Sequence, residues 1–257
     1  MKQSLKNPES VFITGATSGL GYALALSYAI EGRVLFLCGR QQDKLLKIQK
    51  ECQKKGAEVH TFCFDVTDGK RAEQAIAEAE KIKPIALLIA NAGVSKAKLG
   101  SHWVEATRDI FQTNMMGAVH VVLPALSFMK KRKMGQIVLI SSMAGFRGLP
   151  SCPAYSASKV GLKAWGEALR GSLKDKNIAV TVVCPGFIKT PLTDANKFKM
   201  PMIWPADKAA AVIKKRLEKD PGLIAFPFLF YVAAALGTLI PTCVFLWFSR
   251  LLPKKEK

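Results

Sequence analysis

The loop Thr14-Gly15-Ala16-Thr17-Ser18-Gly19-Leu20-Gly21, set between an apolar run and a helical one, constrains this chain more than any other feature. Residues 11–14 before it read as a buried strand, and residues 22–30 after it read as a helix. Glycines let the backbone turn tightly and come close to a ligand, while the helix start offers amides and positive dipole to an anion such as a pyrophosphate. The same string also suits a purely structural tight turn, and the strand-to-helix setting is what favours the binding reading. Short apolar runs then recur at 34–38, 58–64, 85–90, 136–141, 179–184 and 223–226, with helical patterns such as 42–55 and 69–81 between them. That alternation predicts an α/β fold: a doubly wound parallel sheet of about seven strands, covered on both faces. At 257 residues, one domain with one core is the expectation.

The glycine spacing differs from the G-x-G-x-x-G fingerprint, and the lysine of a phosphate-binding P-loop is absent, which disfavours an NTPase. Where the second strand ends, an acidic residue would bind an adenosine ribose, but the chain reads Cys38-Gly39-Arg40. Arg40 is suited to a 2′-phosphate and argues for NADP(H), although a solvated arginine after a strand is the plainer alternative.

Tyr155-Ser156-Ala157-Ser158-Lys159 opens a second helical run and puts Tyr155 and Lys159 on one helix face. A free phenol titrates near pH ~10, too high for an easy proton shuttle, and a neighbouring ammonium is expected to lower it. Ser142, at the end of the 136–141 strand, could donate a hydrogen bond to a carbonyl oxygen. Singly, these are an ordinary half-buried tyrosine, a surface lysine and a strand-end cap. Together they are three groups able to act on one oxygen.

The Thr14 to Gly21 loop, Asn91-Ala92-Gly93, Ser141-Ser142, Tyr155-x-x-x-Lys159 and Pro185-Gly186 stand in the order and spacing of the short-chain dehydrogenase/reductase family, which the chain resembles over about residues 8–226. The resemblance implies a Rossmann-type catalytic domain over residues 1–226, with Tyr155 as general acid/base and Lys159 as its partner on the nicotinamide ribose. It makes Ser142 the residue that polarises the substrate oxygen and Asn114 the holder of a relay water. Ser142 is preferred to Ser141 because its distance ahead of Tyr155 matches the family pattern. Cofactor contacts implied in the same way are Gly15, Thr17, Ser18, Gly19, Leu20, Gly21, Arg40, Asp65, Val66, Asn91, Ala92, Gly93, Tyr155, Lys159, Pro185, Gly186, Ile188 and Thr190. A homodimer or homotetramer is expected by the same analogy.

Between Thr193 and Trp204, where the family carries a substrate lid, Phe198, Met200, Met202, Ile203 and Trp204 could wall a pocket for a hydrophobic small-molecule substrate, or simply pack the lid. Membrane-bound relatives act on steroids, retinoids and 3-ketosphinganine, so the resemblance implies a lipid-like carbonyl or alcohol. From 221 to 249 no Asp, Glu, Lys, Arg or His occurs, and a basic tail follows with Arg250, Lys254, Lys255 and Lys257. This is length enough to span a bilayer, but Pro241 divides it, and basic residues flank both sides (Lys214, Lys215, Arg216 and Lys219 before it). Residues 227–257 therefore read as a membrane-associated segment that spans, re-enters or lies on the bilayer, with burial in a dimer interface as the bland alternative. The tail resembles a dilysine retrieval signal, which implies a catalytic domain on the cytosolic face of the endoplasmic reticulum, or of a bacterial inner membrane.

A formal charge of +19 calls for an anionic neighbour. The cations are spread over several helices without interleaved aromatics, so a nucleic-acid partner is not expected. Six cysteines without a CxxC pair and three scattered histidines predict no metal site and no disulfide framework. The polar N-terminus predicts no secretory leader and a reducing compartment. The main reading is an NADP(H)-dependent oxidoreductase; the competing one is a catalytically silent NADP-binding membrane scaffold or sensor.

Overall fold

The computed structural model describes residues 6–95, 102–194 and 200–249. The strands are β1 (Ser10–Thr14), β2 (Val34–Gly39), β3 (Glu58–Cys63), β4 (Leu87–Ala90), β5 (Gly135–Ile140), β6 (Ile178–Pro185) and β7 (Leu223–Phe226). They form one sheet in the order β3-β2-β1-β4-β5-β6-β7, with every neighbouring pair parallel. The chain winds outward from β1 to β3, then crosses back to lay β4 on the other side of β1. That reversal opens a crevice beyond the carboxyl ends of β1 and β4, where open α/β sheets bind ligands.

The connecting helices are α1 (Gly19–Tyr28), α2 (Gln42–Gln53), α3 (Gly69–Ile82), α4 (Trp103–Phe111), α5 (Gly117–Arg132), α6 (Pro153–Leu173), the short α7 (Pro191–Asp194), α8 (Ala206–Leu217), α9 (Phe228–Gly237) and α10 (Thr242–Ser249). A π-helical turn, Gln112–Met116, joins α4 to α5. Local signals set the boundaries: the Asp68 carboxylate accepts the Arg71 N–H at 3.0 Å and starts α3, and Pro153 occupies the first turn of α6.

Alternation along the strands divides the interior in two. Val11, Ile13, Leu35 and Leu37 face the layer of α1, α2 and α8, while Phe12, Phe36, Leu88 and Leu139 face the layer of α3, α5 and α6. Every residue of β1, β2, β5 and β6 is buried, as expected of strands covered on both faces, whereas β3 at the edge exposes Glu58 and Cys63.

The spanning alternative for the C-terminal segment is not met. Among the described residues no helix is long and apolar enough to cross a membrane. α9 has 10 residues and α10 has 8; at about 1.5 Å per residue neither approaches the ~30 Å of a bilayer core. The interruption lies at Pro241, which lacks an amide hydrogen to continue a helix. The basic tail from Arg250 lies outside the described residues, as does Phe198 of the expected lid. α9 rests on the loops at the carboxyl end of the sheet, with Tyr231 edge-on to Phe146 at 5.8 Å and Phe230 edge-on to Phe187 at 6.2 Å. Arg147 donates to the carbonyls of Gly237 and Ile240 and lies 4.2 Å from the Phe245 ring centroid, gripping both helices.

Candidate active site

A cleft of about 990 Å³ opens at the carboxyl edge of the sheet. Its floor begins with the glycine loop, where Gly15 and Gly19 have φ of +65° and +54°, in the left-handed region that side chains disfavour. Gly21 is demanded by space: a Cβ there would lie 2.2 Å from the Gly15 carbonyl oxygen and 2.5 Å from Asn91 Nδ2. Asn91 fixes this arrangement, its Nδ2 donating to the carbonyls of Thr14 (2.9 Å) and Gly15 (3.3 Å). Thr14 Oγ1 answers by accepting the N–H groups of Asn91 and Ala92 at 2.9 and 3.0 Å. Thr190 closes over the loop, since a Cβ on Gly19 would meet its Cγ2 at 2.9 Å. The Ser18 side chain makes no capping bond and the first turn of α1 has no acidic residue, so nothing on that turn neutralises its positive end.

Beyond the loop, Gly39 is pressed against Thr17 and carries β2 to Arg40. Arg40 is 58% exposed and pairs with Asp65 at 3.3 Å. Burial acts to raise the Asp65 pKa, but bonds from the Thr67 N–H and Oγ1 and the Arg40 charge outweigh it and hold the carboxyl below its ordinary range. Thr17, Ser18, Arg40 and Gln41 together line a polar recess beside the cleft.

At the other end stand Ser142, Tyr155 and Lys159, all lining the cleft. Ser142 leaves β5 in extended conformation and caps the turn Met143–Gly145, its Oγ accepting the Ala144 N–H at 3.1 Å. It also lies near enough to the Tyr155 phenol to pull that group's pKa down. Ser141 is engaged differently: its Oγ donates to the Lys159 carbonyl at 2.8 Å, tying β5 to α6. One turn after Tyr155, Lys159 is buried, and its Nζ donates to the Ile140 carbonyl at 2.8 Å while lying 5.9 Å from the Tyr155 ring centroid.

The expectation of an acidified phenol is not what this geometry produces. Burial pushes Tyr155 up to about 12, against a smaller downward pull from Ser142. Burial likewise brings Lys159 down to about 8. The physical reason is burial: each group loses more hydration than its neighbours return, and the ammonium is directed at the Ile140 carbonyl. At neutral pH the phenol is therefore a proton donor.

Of the expected lid residues, Met200, Met202, Ile203 and Trp204 do not line the cleft, Trp204 instead stacking on Phe226 at 4.9 Å, and two of the expected catalytic and cofactor residues do not line it either. Gly21 lies beneath the glycine loop, and Asn114 sits in the π-helical turn behind Gly93, fully buried. Asn114 accepts the Val94 N–H at 2.7 Å and donates to the Val94 carbonyl (2.9 Å) and to Ser158 Oγ (3.0 Å). Both its amide protons are thus used, and only acceptor capacity on Oδ1 remains for a water. The remaining sequence-derived contacts, Gly15, Thr17, Ser18, Gly19, Leu20, Arg40, Asp65, Val66, Asn91, Ala92, Gly93, Pro185, Gly186, Ile188 and Thr190, all border the cleft.

Some contributors escaped sequence reasoning. Ser158 donates to the Tyr155 carbonyl at 2.8 Å and receives Asn114, linking the two halves of the site. Phe230 of α9 lines the cleft although its segment reads as a bilayer anchor. No periodicity could have revealed Phe230. Ser158, lying inside the Tyr155 to Lys159 string at the i+3 position from Tyr155, could have been suspected.

The residues present fit a dinucleotide. The loop admits no Cβ at Gly21, the helix start is uncapped, and a Cβ on Gly93 would lie 3.2 Å from Asn114 Oδ1 and 3.4 Å from Lys159 Nζ, so backbone alone borders the cleft there. Comparison with known proteins agrees. The family model for short chain dehydrogenase matches residues 9–200. An uncharacterized oxidoreductase of Mycobacterium tuberculosis is 36% identical over 224 residues, covering 85% of this chain and 88% of that one. The 3-ketodihydrosphingosine reductase of Bos taurus is 35% identical over 188 residues, covering 70% of this chain and 57% of that one. A crystal structure of an actinorhodin polyketide ketoreductase with NADPH superposes with a TM-score of 0.74 at 26% identity, covering 86% of this chain and 96% of that one.

Proposed function

The chain belongs to the short-chain dehydrogenase family, and within it we propose an NADP(H)-dependent reductase that converts a hydrophobic ketone to a secondary alcohol. The family activity is oxidoreduction with a nicotinamide cofactor; the phosphate form, the substrate class and the direction are the proposal. Support for NADP(H) comes from Arg40, which stands where an acid would otherwise receive the ribose, and from the recess of Thr17, Ser18 and Gln41 around it. Support for an apolar substrate comes from Met143, Leu149, Phe187, Leu192 and Phe230, which border the same cleft as Tyr155. Support for reduction comes from the phenol itself, which holds its proton at neutral pH.

When bound, the nicotinamide supplies the hydride to the carbonyl carbon. The chain's part is orientation and proton delivery. Ser142 Oγ and the Tyr155 hydroxyl, which both line the cleft, would share the substrate oxygen. Tyr155 gives that oxygen its proton, and the Lys159 ammonium, one turn along α6, offsets the negative charge left on the ring. Asn114 and Ser158 hold the Gly93–Val94 strand end and the α6 backbone in place around these groups.

The pairing of Ser142 with Tyr155 beside Lys159 is the observation that carries this reading. It is tested by following NADPH consumption with a panel of long-chain and cyclic ketones. Tyr155→Phe should lower the turnover rate by about 10²–10⁴-fold while NADPH still binds; a Phe variant with undiminished turnover would refute the assignment.

A further inference from the structure

The mouth of the cleft and the outer face of α9 form one apolar surface. Phe230 lines the cleft, while Phe228 and Leu229, two and one residues earlier on the same helix, are 71% and 69% exposed. Leu236 and Leu239 continue the exposed face, at 59% and 79%. Across the mouth, Leu192 and Pro201 line the cleft, and Leu192, Met202 and Ile203 are themselves exposed. Both rims are therefore apolar. α9 has no buried residue at all, although it is built almost entirely of apolar ones. Contiguous apolar surface of this kind marks a contact with a membrane or another protein.

Charge chooses between the two. Among the described residues near the rim, exposed Lys189 and Lys208 are matched by exposed Asp194 and Asp207. Beyond α10 the sequence adds Arg250, Lys254, Lys255 and Lys257 against a single acid, Glu256, in a protein of net charge +19. A second copy would bring the same positive charge to the contact, whereas anionic headgroups complement it. Length decides the mode, because neither α9 nor α10 can cross a bilayer.

We propose that α9, α10 and the Met202–Ile203 rim lie in the plane of an anionic bilayer surface, so that the cleft opens into the apolar layer and the substrate reaches Tyr155 past Phe230 without entering water. The entry route rests on the reductase reading above; the seating on lipid does not. Arg147 is the positioning residue of this arrangement. Its neighbour Phe146 packs on Tyr231, and its guanidinium holds the ends of α9 and α10 from the same loop that begins at Ser142.

The test uses the full chain and vesicles of equimolar phosphatidylglycerol and phosphatidylcholine, with pure phosphatidylcholine as the control. Wild-type protein should float with the anionic vesicles, bind the neutral ones weakly, and be partly released by high salt. The double variant Phe228→Ser/Leu229→Ser, both positions exposed and outside the catalytic group, should bind anionic vesicles about tenfold less or weaker still. Its kcat/KM for a long-chain ketone dissolved in those vesicles should fall by a similar factor, with kcat/KM for a short water-soluble ketone unchanged. Leu236→Ser/Leu239→Ser on the same face should act alike, which guards against one pair simply misfolding. Wild-type indifference to vesicles, or a dimer in sedimentation that both double variants dissolve while lipid binding stays absent, would overturn the proposal. Vesicle binding without turnover of either ketone would support the seating and refute the reductase reading.

Discussion

The cradle beside β1 and helix α9 border the same cleft, and α10 follows α9, but the cradle and this helix pair are built in opposite ways. In the cradle, backbone meets backbone: Gly15, Gly21 and Asn91 interlock so closely that one added carbon at Gly21 would sit 2.2 Å from a carbonyl oxygen. α9 and α10 are held by side chains, through Arg147, Phe146 and Phe187, and leave their apolar faces outside. The difference separates tasks. A cofactor of fixed shape suits a rigid cradle, and the substrate end of the cleft can be altered without disturbing it.

That separation can be broken experimentally, most severely at Gly21. Gly21→Ala should reduce NADPH affinity by about 100-fold or more, because the loop must shift to admit the methyl group; isothermal titration would show it, and unchanged affinity would mean the cradle is softer than its contacts imply. Arg40→Ala should come next, raising the KM for NADPH by roughly 10- to 100-fold with little change for NADH, since a bidentate charged contact is lost only to the phosphate form. Equal losses with both cofactors would place Arg40 in a structural role with Asp65.

A smaller effect is expected from pH. With Lys159 at about 8 and Tyr155 at about 12, kcat/KM for reduction should be level at neutral pH and decline as Lys159 loses its proton, because the phenolate formed in the reaction then lacks a countercharge. A profile flat through pH ~9 would contradict this. Stability has its own signature. The lowered lysine makes the unfolded chain bind more protons between its folded value near 8 and its ordinary value of 10.5, so stability should rise through that window. The raised tyrosine works the other way, and its contribution is lost between 10.0 and about 12.

The smallest effect should come from Arg147→Met. Losing its charged bonds to the Gly237 and Ile240 carbonyls should cost about 1–2 kcal/mol and a few degrees of melting temperature, with NADPH affinity intact. If cofactor binding fell as far as in Gly21→Ala, the two regions would not be separable.

Much of the fold was legible because its rules are local. Strands buried on both faces are bound to read as apolar runs, as the central ones do, and all seven strands were placed with ends displaced by no more than two residues, although edge strand β3 carries Glu58, His60 and Thr61. The glycine loop was legible for the same reason, since positive φ and close approach act on the residue itself. Ser142 and Ser141 were separable only by spacing until their partners were visible: both border the cleft, but the Ser141 hydroxyl is committed to the Lys159 carbonyl. The Tyr155 pKa was misjudged because four residues of helix specify proximity to Lys159 but not where the ammonium points, nor how dry the pair is. The C-terminal segment was misjudged in one alternative because hydropathy counts residues, whereas spanning requires an unbroken helix.

By itself the sequence determined the alternation of strands and helices, the glycine loop and the string that puts Tyr155 and Lys159 on one face, since each depends on neighbours along the chain. Tertiary structure alone decided that Asn91 braces the loop, that Ser158 joins Asn114 to α6, and that Phe230 turns inward while Phe228 stays outside. Those outcomes rest on contacts between residues far apart in sequence and on the exclusion of water from the space they enclose, neither of which exists until the sheet has closed on its helices.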